Sequence, residues 1–551
     1  MRLPTIARNL SLAACTAAED FREEPLQLLI QVSRRLPERA RTRIGATVGV
    51  GHPGPVRAAY AAWIVDRPDD ARAQLRAARP LSRTGQRLFA ELAKQLDEPG
   101  LIPPSVMRGR LADRVARRRG DVVEPWTPPR ASLPRSPSVR SSNEPISVFH
   151  LLTNSLPYTS SGYAHRSHAV LKAQRAAGLR VAAATRLGYP VIVGKLGASR
   201  HDVIDGIDYH RLLPWRRRTG LAAQVQQTAD LLEPLVRSFG ADVLSTTTDY
   251  TNGLVAAEVA SRLGIPWTYE IRGLPEETWV ASKPAGRARD VAEQSLRYRT
   301  FRSREAEVSS AAAHVFALGE TLAEDMMSRG VPADRLTVVP NFTDADLPSP
   351  EPASARSRLG LAQDGFWVGT TTSMVEYEGL GTIIDAVALA RRGGADVRAL
   401  LVGDGAARPG IAARIAERGL EEFVKLPGRV PKHDVAQYLA AIDTFVVPRI
   451  HATVCEKVPP LKPVEAMAAG RAVLVAPRRA LAELGTDGVI TVPDDDATSW
   501  ARVITDLAAS GHAAELGRRA LAAAQRRSSG VVGARYADVL EQLTRTGATW
   551  R

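Results

Sequence analysis

Apolar residues recur at helical spacing near the start of the chain. Residues 25–32, a segment from Asp69-Asp70 through Arg76, and residues 86–92 each predict a helix. The two acids of the middle segment stand where a helix dipole favours negative charge. Residues 1 to about 120 therefore read as a small helical module, without a strict repeat period. Residues 124–145 end that pattern with six prolines among Ser and Arg. Proline removes a backbone donor and fixes φ, so this stretch predicts a linker. Beyond it, short apolar runs alternate with helical stretches. Strands are predicted at 146–152, 179–185, 242–245, 267–270 and 314–318. After Pro340-Asn341 they follow at 366–370, 398–403, 423–426, 444–447 and 472–475. Strands that are apolar throughout and separated by helices specify parallel sheets covered on both faces. The expected fold class is α/β, with two Rossmann-like doubly wound domains in tandem. The expected division is a helical N-terminal module (1–123), a linker (124–145), a first α/β domain (146–340) and a second (341–551). Amphipathic helices over 497–545 are expected to close the second domain. Tandem sheets of this kind leave a cleft between them, with ligands at the carboxyl ends of the strands.

Composition narrows the class. The chain has 551 residues, 44% hydrophobic and 24% charged, an ordinary globular balance that excludes a mainly disordered protein. No run of 18 uncharged apolar residues occurs, so no membrane-spanning helix is expected. The net charge is +14, but eight of the 73 basic residues are Lys and 65 are Arg, in an Ala-rich chain. That reads as compositional bias. With no nucleic-acid module signature, no nucleic-acid partner is expected. Cys15 and Cys455 give no disulfide framework, which points to a reducing cytoplasm. Leu12-Ala13-Ala14-Cys15 has the look of a lipoprotein cleavage box. The segment before it is short and carries Arg8 and Asn9, so a signal peptide is not the reading.

Four local patterns carry candidate chemistry. The loop 154–163 follows the first α/β strand and opens a helix. Ser161 and Gly162 there can present backbone N–H groups to a phosphate or a sugar hydroxyl, with His165 and His168 on one face beyond. Val338-Val339-Pro340-Asn341 ends a strand between the two domains. Gly428 and Arg429, in Pro427-Gly428-Arg429-Val430-Pro431, let the backbone approach a flat ligand such as a nucleobase. The strand 444–447 runs into Pro448-Arg449, and a loop leads to Glu456 and then to Lys462-Pro463-Val464-Glu465. Pro463 suits a helix start, Lys462 with free helical N–H groups suits a diphosphate, and Glu465 suits two ribose hydroxyls. Four of the eight lysines (Lys425, Lys432, Lys457, Lys462) fall in this stretch. Asp494-Asp495-Asp496 before a helix reads as capping rather than metal binding. No His/Cys cluster has zinc spacing.

These patterns, in this order, resemble glycosyltransferase family 4, retaining enzymes of the GT-B fold. The carriers are the Gly162 loop, Val339-Pro340-Asn341, Val402-Gly403-Asp404-Gly405, Gly428-Arg429-Val430-Pro431 and the run from Pro463 to Gly470, over about residues 145–545. Tyr377-Glu378-Gly379-Leu380 and Pro460-Leu461-Lys462-Pro463 resemble the motifs of one subgroup of that family. The resemblance implies a nucleotide-sugar donor in the second domain, a glycan, lipid-linked or small-molecule acceptor in the first, and no cofactor or obligatory metal. Glu465 matches the second of the family's two donor glutamates. Lys457 stands at the position of the first, with Glu456 one residue before. The cations usual after the second domain's first strand are Ser373 and Glu378 here, so Arg449 and Lys462 are expected to carry the diphosphate. Arg272 falls where the family often has a His and can only position groups or stabilise charge. Two other readings compete: a non-catalytic glycan-binding scaffold on this fold, and a sugar-nucleotide epimerase. The N-terminal module, with Arg108, Arg110, Arg114 and Arg117–Arg119, is a candidate contact for a protein or the inner membrane face.

Overall fold

The structure is a computed structural model, described here for residues 3–23, 54–64, 68–78, 89, 126–129, 144–343 and 351–545. The helices expected at 25–32 and 86–92, and the arginines from 108 to 119, lie outside these, Phe89 excepted. The helix predicted from Asp69 spans Pro68–Ala77 and packs on a second, Pro55–Ile64, through Val56, Ala59, Ala71 and Leu75.

The first α/β domain is an eight-stranded sheet. Its strands are β1 (Ser147–Leu152), β2 (Arg180–Thr185), β3 (His201–Ile204), β4 (Ile207–Arg211), β5 (Val243–Thr247), β6 (Trp267–Ile271), β7 (His314–Ala317) and β8 (Leu336–Val338). They lie in the order β3-β4-β2-β1-β5-β6-β7-β8, parallel except for the antiparallel β3–β4 pair. β1 and β5 are buried along their whole length, as apolar runs in a sheet covered on both faces must be. The second sheet holds β9 (Phe366–Thr371), β10 (Val397–Val402), β11 (Val424–Gly428), β12 (Thr444–Val447), β13 (Ala472–Val475) and β14 (Val489–Thr491). Its order is β11-β10-β9-β12-β13-β14, all parallel. In each sheet the order reverses beside the first strand, between β1 and β5 and between β9 and β12. The crevices at these two reversals are where this architecture receives ligands.

Three features depart from the expected division. The helix Leu3–Glu23 docks on the first α/β domain, where Leu12 packs with Val191, Ala198 and Leu213. From the linker, Trp126 also lies on that domain, its N–H donating to Glu307 at 3.1 Å. The last helix, Ser529–Arg545, crosses back from the second domain to the first. Val532, Tyr536 and Leu540 join the core formed by β1 and β2 and the helix Gly162–Ala176. A Cβ on Gly533 would stand 2.4 Å from Ala173 O, which shows how closely the two helices approach. The other closing helices, Ala497–Ser510 and Ala513–Gln525, belong to the second domain's core. Asp496 caps the former, accepting from Thr498 and Ser499 N–H groups, as the run of three aspartates predicts.

Candidate active site

The loop after β1 ends at Ser161, whose hydroxyl accepts from Ala164 N and caps the helix Gly162–Ala176. Arg211, reaching across from β4, donates to Ser155 Oγ (2.5 Å) and Leu156 O (2.9 Å) and so fixes the start of the loop. At its end, Ser160 Oγ lies 2.9 Å from His165 Nε2. Burial holds the His165 pKa below its usual value, and the charge of Lys432 in the second domain lowers it further. His165 therefore sits close enough to feel the opposite wall of the cleft. A Cβ added at Gly162 would meet open space, so neighbouring atoms do not require glycine there.

Behind the helix start lies a buried ionic triad. Glu270 on β6 accepts from Arg166 Nε (2.8 Å) and Arg272 (2.7 Å). Burial alone would raise the Glu270 carboxyl, but the two guanidiniums bring it down to about 2. Arg166 also donates to Val339 O, Pro340 O and Asn341 Oδ1, and Asn341 Nδ2 donates to Pro459 O of the second domain at 2.9 Å. Arg272 donates to Ser167 Oγ and Tyr163 O. Thus Arg272, expected beside the reacting sugar, is buried and turned towards the helix start. It positions Tyr163 and Ser167, while Arg166 ties this wall to the interdomain segment.

On the second domain, the loops after β9 and β10 are packed backbone to backbone. Gly403 has φ +140, and a Cβ there would fall 1.8 Å from Thr372 O. Only glycine fits at such an approach. Gly428 ends β11 with φ +83, its carbonyl accepting from Gly403 N–H. Arg429 beside it is exposed. The helix Lys462–Ala468 carries Glu465, which is buried. Its Oε1 lies 2.6 Å from Lys432 Nζ and its Oε2 3.0 Å from Lys462 Nζ. Burial would raise the Glu465 pKa; the two lysines outweigh it and bring it below the usual value. Lys432 follows β11 in the chain and was singled out only within the lysine cluster, not as a site residue.

The remaining predicted residues are placed differently. Arg449 is buried and paired with Glu378 at 2.9 Å, and it donates to Val458 O. The acid standing where the family has a cation thus takes up the charge expected to replace it. Glu456 faces His451 (3.0 Å) and accepts from Arg479 N–H (3.0 Å), away from Glu465. Lys457, eight positions before Glu465, reaches the first domain and pairs with Asp325 at 2.7 Å. Nearby, Glu483 of the second domain caps the helix Glu320–Ser328 of the first, accepting from Glu320 N, Thr321 N and Thr321 Oγ1. Among the described residues no group of three or more His, Cys, Asp or Glu stands together as a metal site, and no helix is long and apolar enough to cross a membrane.

Two family descriptions match these domains. Residues 161–341 match the glycosyl transferase 4-like domain, and residues 364–510 match glycosyl transferases group 1. The two α/β domains are those of a GT-B glycosyltransferase. Over 120 residues the chain is 31% identical to the 2-deoxystreptamine glucosyltransferase of Streptomyces kanamyceticus, covering 21% of this chain and 31% of that relative. The match therefore spans under a third of the curated relative's length. Among solved structures, sucrose-phosphate synthase from Thermosynechococcus elongatus superposes with a TM-score of 0.59 at 20% identity, over 73% of this chain and all of that one. HepE of Anabaena, solved with UDP, superposes with a TM-score of 0.54 at 18% identity, over 72% of this chain and all of HepE. At these identities the likeness to the GT-B glycosyltransferases is one of fold.

Proposed function

We propose that this chain is a retaining glycosyltransferase that moves a hexose-type sugar from a nucleotide-diphosphate donor to a glycan, lipid-linked or small-molecule acceptor. The observation that carries the reading is Glu465, buried at a helix start with a lysine on each carboxylate oxygen, at a cleft whose other wall bears Ser161, Gly162 and His165. A carboxylate held ionised there accepts from two ribose hydroxyls. Lys462 and Lys432 share the one carboxylate of Glu465 and so leave net positive charge for the diphosphate, whereas the charge of Arg449 is matched by Glu378. HepE, solved with UDP and with UDP-glucose, supports a nucleotide sugar as the donor class.

In this mechanism the bond from the sugar's C1 to the diphosphate oxygen breaks, and a bond from the acceptor oxygen to C1 forms on the same face. The acceptor's proton passes to the departing phosphate oxygen. The protein positions the partners and stabilises the charge that grows on the diphosphate. Burial and the charge of Lys432 lower the His165 pKa and so favour its neutral ring, which suits a hydrogen-bond partner to a hydroxyl. No cofactor enters this scheme. The test is to incubate the full chain with nucleotide sugars and acceptors and read the anomeric configuration of the product by NMR. Net retention supports the reading. Net inversion removes the retaining mechanism, and absence of turnover with every donor leaves the glycan-binding scaffold.

A further inference from the structure

A cavity of about 270 Å³ lies where the chain passes between the two domains. Leu318, just beyond β7, and Val338, at the end of β8, line it from the first domain; Pro459, Val464 and Leu484 line it from the second. Both crossings of the chain border it, the first with Pro340 and Asn341, the second with Arg527 and Arg535. None of Ser161, Gly162, His165, Lys432, Lys462 or Glu465 does. The cavity and the Glu465 site therefore share the helix Lys462–Ala468, through Val464, but no charged residue.

The charges on its walls are unevenly matched. The Glu483 carboxylate accepts from Glu320 N, Thr321 N and Thr321 Oγ1, so a helix N-terminus takes up its charge. Glu320, the other acid on the wall, is exposed. Arg527 Nη2 donates to Glu483 O (2.5 Å) and Arg535 Nη1 to Val338 O (2.7 Å), both neutral carbonyls. Among the described residues neither guanidinium stands in an ion pair. Arg527 is half-buried, and burial lowers its pKa although Glu483 opposes the shift. A cation taken partly out of water without a counter-charge is unfavourable, and an anion beside it offsets that cost. Each guanidinium keeps further N–H donors for such an anion.

We propose that this cavity binds a small organic anion, a carboxylate or phosphate on a compact apolar body, which braces the two domains against each other. Arg527 and Arg535 take the anionic group through their guanidinium forks, and the apolar walls take the body. Bound there, the anion touches both domains and both crossings, and it packs on Val464, one residue from Glu465. It favours the domain arrangement in which the Glu465 site is assembled, so anion and nucleotide each tighten the binding of the other. That coupling rests on the nucleotide-sugar reading above; the binding of the anion does not.

The experiment is calorimetric titration of the full chain with phenyl phosphate and with benzoate, beside inorganic phosphate and benzyl alcohol as the two half-ligands. One or both organic anions are expected to bind, roughly tenfold or more tighter than either half-ligand. Arg527→Gln/Arg535→Gln is expected to weaken that binding roughly tenfold or more. Arg535→Gln alone, at an exposed position, is expected to weaken it roughly threefold to tenfold with an unchanged circular dichroism spectrum. Glu465→Ala is expected to leave the anion's affinity unaltered, and saturating anion to tighten nucleotide binding by the wild type. Binding by neither organic anion overturns the proposal, as does equal affinity in both arginine variants. Displacement of the anion by nucleotide, or its loss in Glu465→Ala, puts it in the donor site and overturns the proposal equally. Anion binding that the arginine variants lose, in a chain that no nucleotide stabilises, supports the cavity and removes the donor reading.

Discussion

Lys432 Nζ stands 2.6 Å from Glu465 Oε1, joining the segment after β11 to the short helix that begins at Lys462. With Lys462 on the other oxygen, the carboxylate is held ionised although buried. Charge-assisted hydrogen bonds of this kind contribute about 1.5–3 kcal/mol each. Lys462→Ala is therefore expected to weaken nucleotide-diphosphate binding roughly tenfold to a hundredfold, with an unchanged circular dichroism spectrum. Titration calorimetry reads the affinity directly. Unaltered affinity in Lys462→Ala would take Lys462 off the diphosphate.

The triad Arg166–Glu270–Arg272 predicts a stability effect. Removing one partner of a buried ionic group leaves uncompensated charge and costs about 3–5 kcal/mol. Glu270→Gln should lower the chemical-denaturation midpoint accordingly at pH 7. Its folded-state pKa, about 2, lies below the usual carboxyl value of 4.5. The stabilisation is therefore present above pH 4.5 and lost as pH falls towards 2, so the gap between wild type and variant should narrow across that window.

Glu305 predicts the opposite pH dependence. It is buried and accepts from Tyr250 N–H (2.7 Å) and Tyr269 Oη (2.8 Å), and burial pushes its carboxyl up to about 8. With the folded pKa above the unfolded 4.5, the folded state binds more protons between the two. The stability it contributes is full below pH 4.5 and declines up to pH 8, on the order of 1 kcal/mol per pH unit. Glu305→Gln keeps the shape without the titration. Its thermal midpoint relative to wild type should rise from pH 5 to pH 8, and parallel curves would refute the assignment.

Gly403→Ala probes the donor loops. The added Cβ meets Thr372 O, so the loop after β9 must move. A non-glycine residue forced into such a backbone region costs roughly 1–3 kcal/mol. Reduced stability together with weakened nucleotide binding is expected; wild-type affinity would mean that the 372–375 loop lies outside the donor site.

The long parallel strands were legible because each is an apolar run bounded by polar turns. β12 and β13 begin and end where the hydrophobic pattern places them. β3 and β4 were missed: with burial alternating or partial, His201–Ile204 and Ile207–Arg211 lack that continuous signal. The last helix was placed in the wrong domain because periodicity reports that Val532, Tyr536 and Leu540 share a face, not which core receives it. Ser161, Gly162, Lys462 and Glu465 stand at helix starts, where local spacing predicts them. Local spacing does not give the partners of Arg272 and Arg449. Arg449 meets Glu378 across 71 positions and Arg166 meets Glu270 across 104, and such pairings follow from the sheet order. Lys432 lay within a visible lysine cluster, but its contact with Glu465 needed β11 placed at the sheet edge.

The central claim is a nucleotide-diphosphate site built on Glu465. Its most direct measurement is the thermal midpoint of the full chain against UDP, GDP, ADP and their sugars, with Glu465→Ala in parallel. The account predicts stabilisation by one nucleotide family, lost in Glu465→Ala. No shift with any nucleotide, or an equal shift in the variant, would contradict it.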